Sequence, residues 1–207
     1  MALSGLRQGD KIAADERASR WPKPETGNEI KMRKGGKYYS PATKMIHWLM
    51  AIVIIGLLVV GTLLENMENG PEKFELMSLH KSLGVLALLL FFLRIPLRII
   101  NPVRPIDGVP KSTLIAASAV KGLLYLSMLL MPVSGILMSQ SAGYPVAMFG
   151  WEIPMLIGEN EQVNQIAGLM HGIVSKVLMA LIALHVLGAL YHHFIRRDDT
   201  LRRMIRD

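Results

Sequence analysis

Histidine sets the chemistry open to this chain of 207 residues, which has six histidines and no cysteine. The missing thiols exclude disulfides, iron–sulfur ligation and Cys-x-x-Cys-His attachment of a haem. Imidazole remains as a nitrogen ligand for a metal and as a proton carrier near neutral pH. His47, His80, His171 and His185 all fall inside long apolar blocks. One histidine in a soluble protein would read plainly as a packed core residue or a helix-end anchor. Four of them in apolar blocks, where polar groups are costly and usually functional, read as ligands.

The elements that must position them are four apolar blocks, at about 45–64, 79–100, 114–139 and 166–194. A hydrocarbon core of roughly 30 Å is crossed by about 20 helical residues, and each block meets that length. Hydrophobic content of 51%, charged content of 19% and a mean hydropathy of +0.35 fit a membrane protein better than a soluble domain. Four strands cannot close a barrel, so the spans must be helices. The expected fold is therefore all-α, an integral membrane four-helix bundle. Residues 1–36 read as a flexible tail and 37–207 as the transmembrane domain. No apolar h-region precedes the first block, so no cleavable signal peptide is expected in the usual place.

Charge gives the orientation. Lys31, Arg33, Lys34, Lys37 and Lys44 precede the first span, Arg104 and Lys111 follow the second, and Arg196, Arg197, Arg202, Arg203 and Arg206 close the chain. The other two connections are acidic, with Glu65, Glu68, Glu72 and Glu75 in one and Glu152, Glu159 and Glu161 in the other. The positive-inside rule then puts both termini in the cytoplasm. The net charge of +7 reports these inside loops rather than a nucleic-acid partner.

With that orientation the histidines sort by depth. His185 follows His171 by fourteen residues, about 21 Å and nearly four turns, so both share a face at two levels. His47 matches the level of His185 on the inner side, and His80 that of His171 on the outer side. Two imidazoles on facing helices in an apolar slot are what a b-type haem requires. A metal-ion transporter would add carboxylates inside the spans, and none lies between 45 and 64, 79 and 100, 114 and 139 or 166 and 194.

Neighbouring positions extend the pattern. His80, Gly84, Ala87, Phe91, Arg94 and Arg98 form one stripe, which carries Arg94 to the inner pair. Arg94 could hold the propionates of an inner haem, or snorkel to the headgroups as expected for Arg98. Gly61 and Gly84 lie opposite or beside the histidine levels, where a macrocycle or a packed helix would each suit a glycine. Lys176 is deep in the last span and could meet an outer propionate or snorkel; Lys121 reads as snorkelling inward. His192, one heptad beyond His185, could hydrogen-bond a quinone carbonyl and pass it a proton. It would equally serve as a cation at a helix C-terminus. His193 faces elsewhere and reads as an interface residue.

The segments SPATKMIHW (40–48), LHKSLG (79–84), YLSMLLMPVSG (125–135), the stretch 171–193 and DTLRRM (199–204) resemble the bacterial cytochrome b561 family. Those proteins are related to the b-type cytochrome subunits of nickel–iron hydrogenase and formate dehydrogenase. The resemblance runs from about 37 to 205. It implies two bis-histidine b haems on His47, His80, His171 and His185, and electron exchange with the quinone pool of the bacterial inner membrane. One family type, a superoxide oxidase, passes electrons from periplasmic superoxide to ubiquinone, and its quinone-contacting histidine matches His192. Lys121 stands where some relatives have a histidine, so no role is carried over there. The acidic outer connections, relieved only by Lys73 and Lys81, do not favour an anionic substrate. Three functions are thus distinct: a freestanding electron carrier or superoxide:quinone oxidoreductase, a membrane anchor docking a separate dehydrogenase, and a haem-free transporter.

Overall fold

The computed structural model describes residues 36–106 and 108–205. The tail expected over 1–36 lies outside them apart from Gly36. Four long helices carry the fold: α1 (Pro41–Asn66), α2 (Pro71–Ile100), α3 (Lys111–Ser141) and α4 (Glu161–Tyr191). Each is long and apolar enough to cross a membrane. Strands β1 (Val146–Met148) and β2 (Trp151–Ile153) form a hairpin between α3 and α4. A π-helical turn, His192–Arg196, and a short α5, Arg202–Ile205, follow α4.

The helices overrun the apolar blocks because their ends are set by capping rather than by hydropathy. Ser40 caps α1 by accepting the Thr43 amide, and Pro41 occupies the first turn, where its missing N–H costs nothing. Pro71 opens α2 eight residues ahead of the apolar block, with Glu72 favourably placed at the positive end of the helix dipole. His80 therefore sits well inside α2 instead of opening it. Asn160 caps α4 through the Val163 amide at 3.0 Å. At the other end α4 leaves α-geometry at Tyr191, short of the expected 194.

Large apolar side chains such as Ile52, Leu63, Phe92, Ile115 and Leu187 point outward. That surface would be untenable in water and is ordinary in lipid. Inside the bundle the helices pair unequally. α3 and α4 approach most closely, α1 and α2 next, while α1 and α4 scarcely touch along their backbones. Small residues permit the tight pair: Ser127, Ser134, Gly135 and Ser139 on α3 and Ala167 and Gly168 on α4. Asn164 of α4 also donates to Met138 O on α3 at 2.8 Å. Ile46, Met50, Val53, Ala87, Leu90 and Phe91 bind α1 to α2 and receive Tyr125, Met128 and Leu129 of α3.

Two caps close the bundle. At one end lies the hairpin, whose two-residue turn has positive φ at both Phe149 (49°) and Gly150 (92°), the mirror-image geometry that fits strand twist. Ser82 of α2 holds it, accepting from Phe149 N–H at 3.1 Å and donating to Ala147 O at 3.2 Å. Nothing in the sequence reading anticipated this hairpin. At the other end the described termini meet the α2–α3 connection. Gly36 bridges Val103, Arg196 donates to Gly108 O, Arg203 to Arg104 O, and Trp48 Nε1 to Met204 O at 3.0 Å. Both described termini thus share one end of the bundle, here the terminal end, opposite the hairpin end.

Gln140, fully buried, fastens the hairpin connection by donating to Pro154 O and accepting from Leu156 N–H. Gln140→Ala leaves both groups unpaired, at about 1–3 kcal/mol each. The segment 142–160 should then be cut by protease faster than in the wild-type chain, at unchanged helix content by circular dichroism.

Candidate functional site

The structure brings the four intramembrane histidines together as two pairs. His47 of α1 meets His185 of α4 near the terminal end, with ring centroids 6.3 Å apart and planes inclined at 71°. His80 of α2 meets His171 of α4 nearer the hairpin, again at 6.3 Å and 71°. Metal–imidazole bonds of about 2.0–2.1 Å, with about 1.2 Å from nitrogen to ring centre, put two collinear ligand rings roughly 6.4 Å apart. Both pairs thus have the spacing of two rings sharing one metal. The slot between α1 and α4, whose backbones do not pack, leaves the rings to bridge the gap.

His171 is the best oriented of the four. Ser134 Oγ donates to Met131 O at 2.9 Å, and His171 Nδ1 lies 3.1 Å from that carbonyl and 3.2 Å from the hydroxyl. A carbonyl only accepts, so the proton belongs on Nδ1 and the Nε2 lone pair is left for a metal. Gly135 lets the ring sit close to α3, since a Cβ there would lie 3.2 Å from His171 Cε1 and press the ring aside by a few tenths of an ångström. Sequence reasoning missed Ser134 and Met131 as partners. The available signal was a serine and a glycine standing together after Pro132 in an apolar span. His80 differs, because its Nδ1 is buried with no partner among the described residues. Gly61 faces it, its Cβ position 3.5 Å from His80 Cε1, while a Cβ at Gly84 would meet nothing within 4 Å. That open space beside His80 belongs to a cavity walled by Ile54, Leu57, Ala87, Met128 and Leu178 and reached by His80 and His171. Room beside His80 and His171 and apolar walls suit a flat macrocycle, so the residues around this pair fit a haem.

Arg94 does not snorkel. Its Nε donates to Tyr125 Oη at 3.2 Å, its guanidinium lies over the Tyr125 ring, and one terminal nitrogen is buried without a partner among the described residues. It is also within electrostatic reach of both His47 and His185. A buried cation with an unpaired N–H beside the His47–His185 pair would be stabilised by an anion. Arg98 instead covers the Tyr39 ring at 5.7 Å. Lys176 lies on the exposed surface of α4.

His192 departs from the regular helix assumed for it. It starts the π-helical turn, and its Nδ1 lies 2.5 Å from Asp198 Oδ2. Asp198 Oδ1 in turn accepts from the Thr200 amide at 2.9 Å and the Thr200 hydroxyl at 2.5 Å. Arg197 allows the chain to double back by adopting a left-handed conformation, φ 54°. His193 stacks edge-on with Phe194. Burial pushes the Asp198 carboxyl up, but the hydrogen bonds from Thr200 and His192 outweigh it and hold the group below its ordinary range.

That depression has a defined sign. Stabilisation by Asp198 is complete above the unfolded aspartate value of about 3.9 and is lost as pH falls through the lower folded value. Acid titration followed by Trp48 fluorescence should report detachment of the C-terminal segment only below about pH 4. In Asp198→Ala the segment should be loose already at neutral pH.

Comparison with known proteins agrees with this geometry. A family model described as prokaryotic cytochrome b561 matches residues 38–207. Cytochrome b561 homolog 2 of Escherichia coli is 31% identical over 176 residues, covering 81% of this chain and 90% of the relative. The probable superoxide oxidase CybB of Yersinia pestis is 29% identical over 172 residues, covering 82% and 96%. Cytochrome b561 homolog 1 of E. coli is 25% identical, covering 81% and 96%. With four helices able to span a membrane and a family match over nearly all the described residues, the chain belongs to the prokaryotic cytochrome b561 family, haem proteins of membrane electron transfer.

Proposed function

We propose that the chain binds two b haems, one between His47 and His185 and one between His80 and His171, and carries electrons from a donor at the hairpin end to ubiquinone at the terminal end. The observation that carries this reading is the pair of equal ring separations, 6.3 Å each, at which two imidazoles could share one metal. When bound, each haem supplies an iron that gains and loses a single electron. The protein does the rest. Met131 O and Ser134 hold His171 with Nε2 presented, and the apolar walls keep water from the slot. Arg94 offers its buried guanidinium to a propionate near the inner pair. His192 offers its ring to a quinone carbonyl at the terminal end, at the level where a lipid-soluble ring meets water.

The terminal end gathers Arg104, Arg196 and Arg203, which supports a cytoplasmic position for both termini and an inner-membrane location. Residues 37–207 then act as one transmembrane electron-transfer unit. For a superoxide donor, two anions each lose one electron to give two dioxygen molecules, and ubiquinone takes two electrons and two protons to give the quinol. The name of the Yersinia pestis relative motivates this arm. The second reading, a membrane anchor that docks a dehydrogenase, is favoured by the acidic hairpin end. There Glu72, Glu75, Glu152, Glu159 and Glu161 outnumber Lys73 and Lys81, which suits a basic protein face better than an anion.

Reduced-minus-oxidised spectra of the purified chain test the haem assignment. His47→Ala or His185→Ala should remove one b-type component, and His80→Ala or His171→Ala the other. Loss of the same component in all four variants would contradict the two-level arrangement. Donor identity is read by mixing the oxidised protein with superoxide: rapid haem reduction with ubiquinone as acceptor supports the oxidoreductase. Slow reduction, with a dehydrogenase copurifying from native membranes, supports the anchor.

A further inference from the structure

We propose that Asp198 is a positioning residue for proton delivery to quinone: it fixes His192 with Nδ1 bearing the proton and Nε2 presented as the exchanging nitrogen. This rests on the reading that quinone reacts beside His192. The geometry is specific to one ring atom. Nδ1 is 2.5 Å from Oδ2 of Asp198, while Nε2 makes no hydrogen bond among the described residues. A carboxylate oxygen can only accept, so the neutral ring must keep its proton on Nδ1.

The surroundings hold this arrangement in place. Thr200 clamps the opposite oxygen through both its amide and its hydroxyl, so the carboxylate cannot rotate away. The π-helical turn is an uncommon device, frequent at functional sites, and here it closes with Asp198 N–H donating to His192 O at 3.1 Å. Arg196 Nε stands 3.8 Å from the same Oδ2, and the Tyr191 ring meets the His192 ring edge-on. These are the charged and titratable contacts of the pair among the described residues. The His192 and Asp198 side chains are only 13% and 15% exposed, so the pair is shielded yet within reach of water.

The proton balance is simple. Nε2 takes a proton from water, and the Asp198 carboxylate stabilises the resulting imidazolium, as a carboxylate does behind a general-base histidine. The imidazolium then gives its Nε2 proton to the oxygen of a quinone that has gained an electron. The ring returns to the neutral form with Nδ1 protonated. Two such transfers complete one quinol.

Asp198→Asn tests this with little change in shape. Thr200's amide must keep an acceptor, so the asparagine carbonyl stays on Thr200 and its NH2 turns to His192. Nδ1 then has to accept, and the ring proton moves to Nε2. The assay uses full-length, haem-loaded protein with ubiquinone-1 as probe, alongside nitrogen-15 NMR of the histidine rings. Expected is an Nδ1–H ring in the wild-type chain and an Nε2–H ring in Asp198→Asn. kcat should fall at least about tenfold, with KM within about twofold and haem spectra unchanged; Asp198→Glu should regain part of the rate. An Nε2–H ring in the wild-type chain would overturn the proposal even if the asparagine variant failed to fold. So would wild-type kcat in Asp198→Asn when His192→Gln is slow. Wild-type kinetics in His192→Gln would instead remove quinone from this position, whatever the ring spectra show.

Discussion

An imidazole inside a membrane has no water to satisfy it, and the architecture follows from pairing each one with another across a gap. α1 and α4 hardly touch along their backbones, yet His47 and His185 meet between them at the same 6.3 Å that separates His80 and His171. Tight packing of all four helices would close these slots. α3 and α4 pack most closely, through small residues, and this pair carries His171 and its support from Ser134 and Met131. α1 and α2 form a second, more apolar pair around Met50, Ala87 and Phe91. The two pairs meet where α2 packs on α3, and the gap left between α1 and α4 gives room for a cofactor without forfeiting the fold.

The two levels are supported differently. His171 is locked by two oxygens, whereas His80 has a buried Nδ1 with no partner among the described residues and open space at Gly84. A buried polar nitrogen left unpaired costs about 1–3 kcal/mol, so one ring of the pair nearer the hairpin is held by hydrogen bonds and the other by packing. Near the pair at the terminal end the distinctive feature is Arg94, buried beside Tyr125 and close to both rings. Arg94 thus places a buried positive charge beside the His47–His185 pair, while the nearest cation on the helix of His80 is Lys81, which reaches out to Pro145 O in the hairpin connection.

Much of this was legible in the residues, because apolar runs and fourteen-residue spacings are local facts. The four spans, the shared face of His171 and His185, and the meeting of His47 with His185 and His80 with His171 follow from helical rise and chain direction alone. Helix ends were not, since Pro71, Ser40 and Asn160 extend helices beyond the apolar runs. The hairpin held by Ser82 and Gln140 depends on contacts between segments more than fifty and about fifteen residues apart, which no local pattern reports. His192 was placed by a heptad that assumed unbroken α-geometry. The π-helical turn and the left-handed Arg197 bring Asp198 to its ring instead.

The central claim is that each imidazole pair holds its own haem. The most direct measurement is the ratio of haem b to polypeptide in the purified full-length chain, by haem extraction and quantitative amino-acid analysis. Two haems per chain is the predicted result. One haem or none, in protein whose four helices remain folded, would contradict the account.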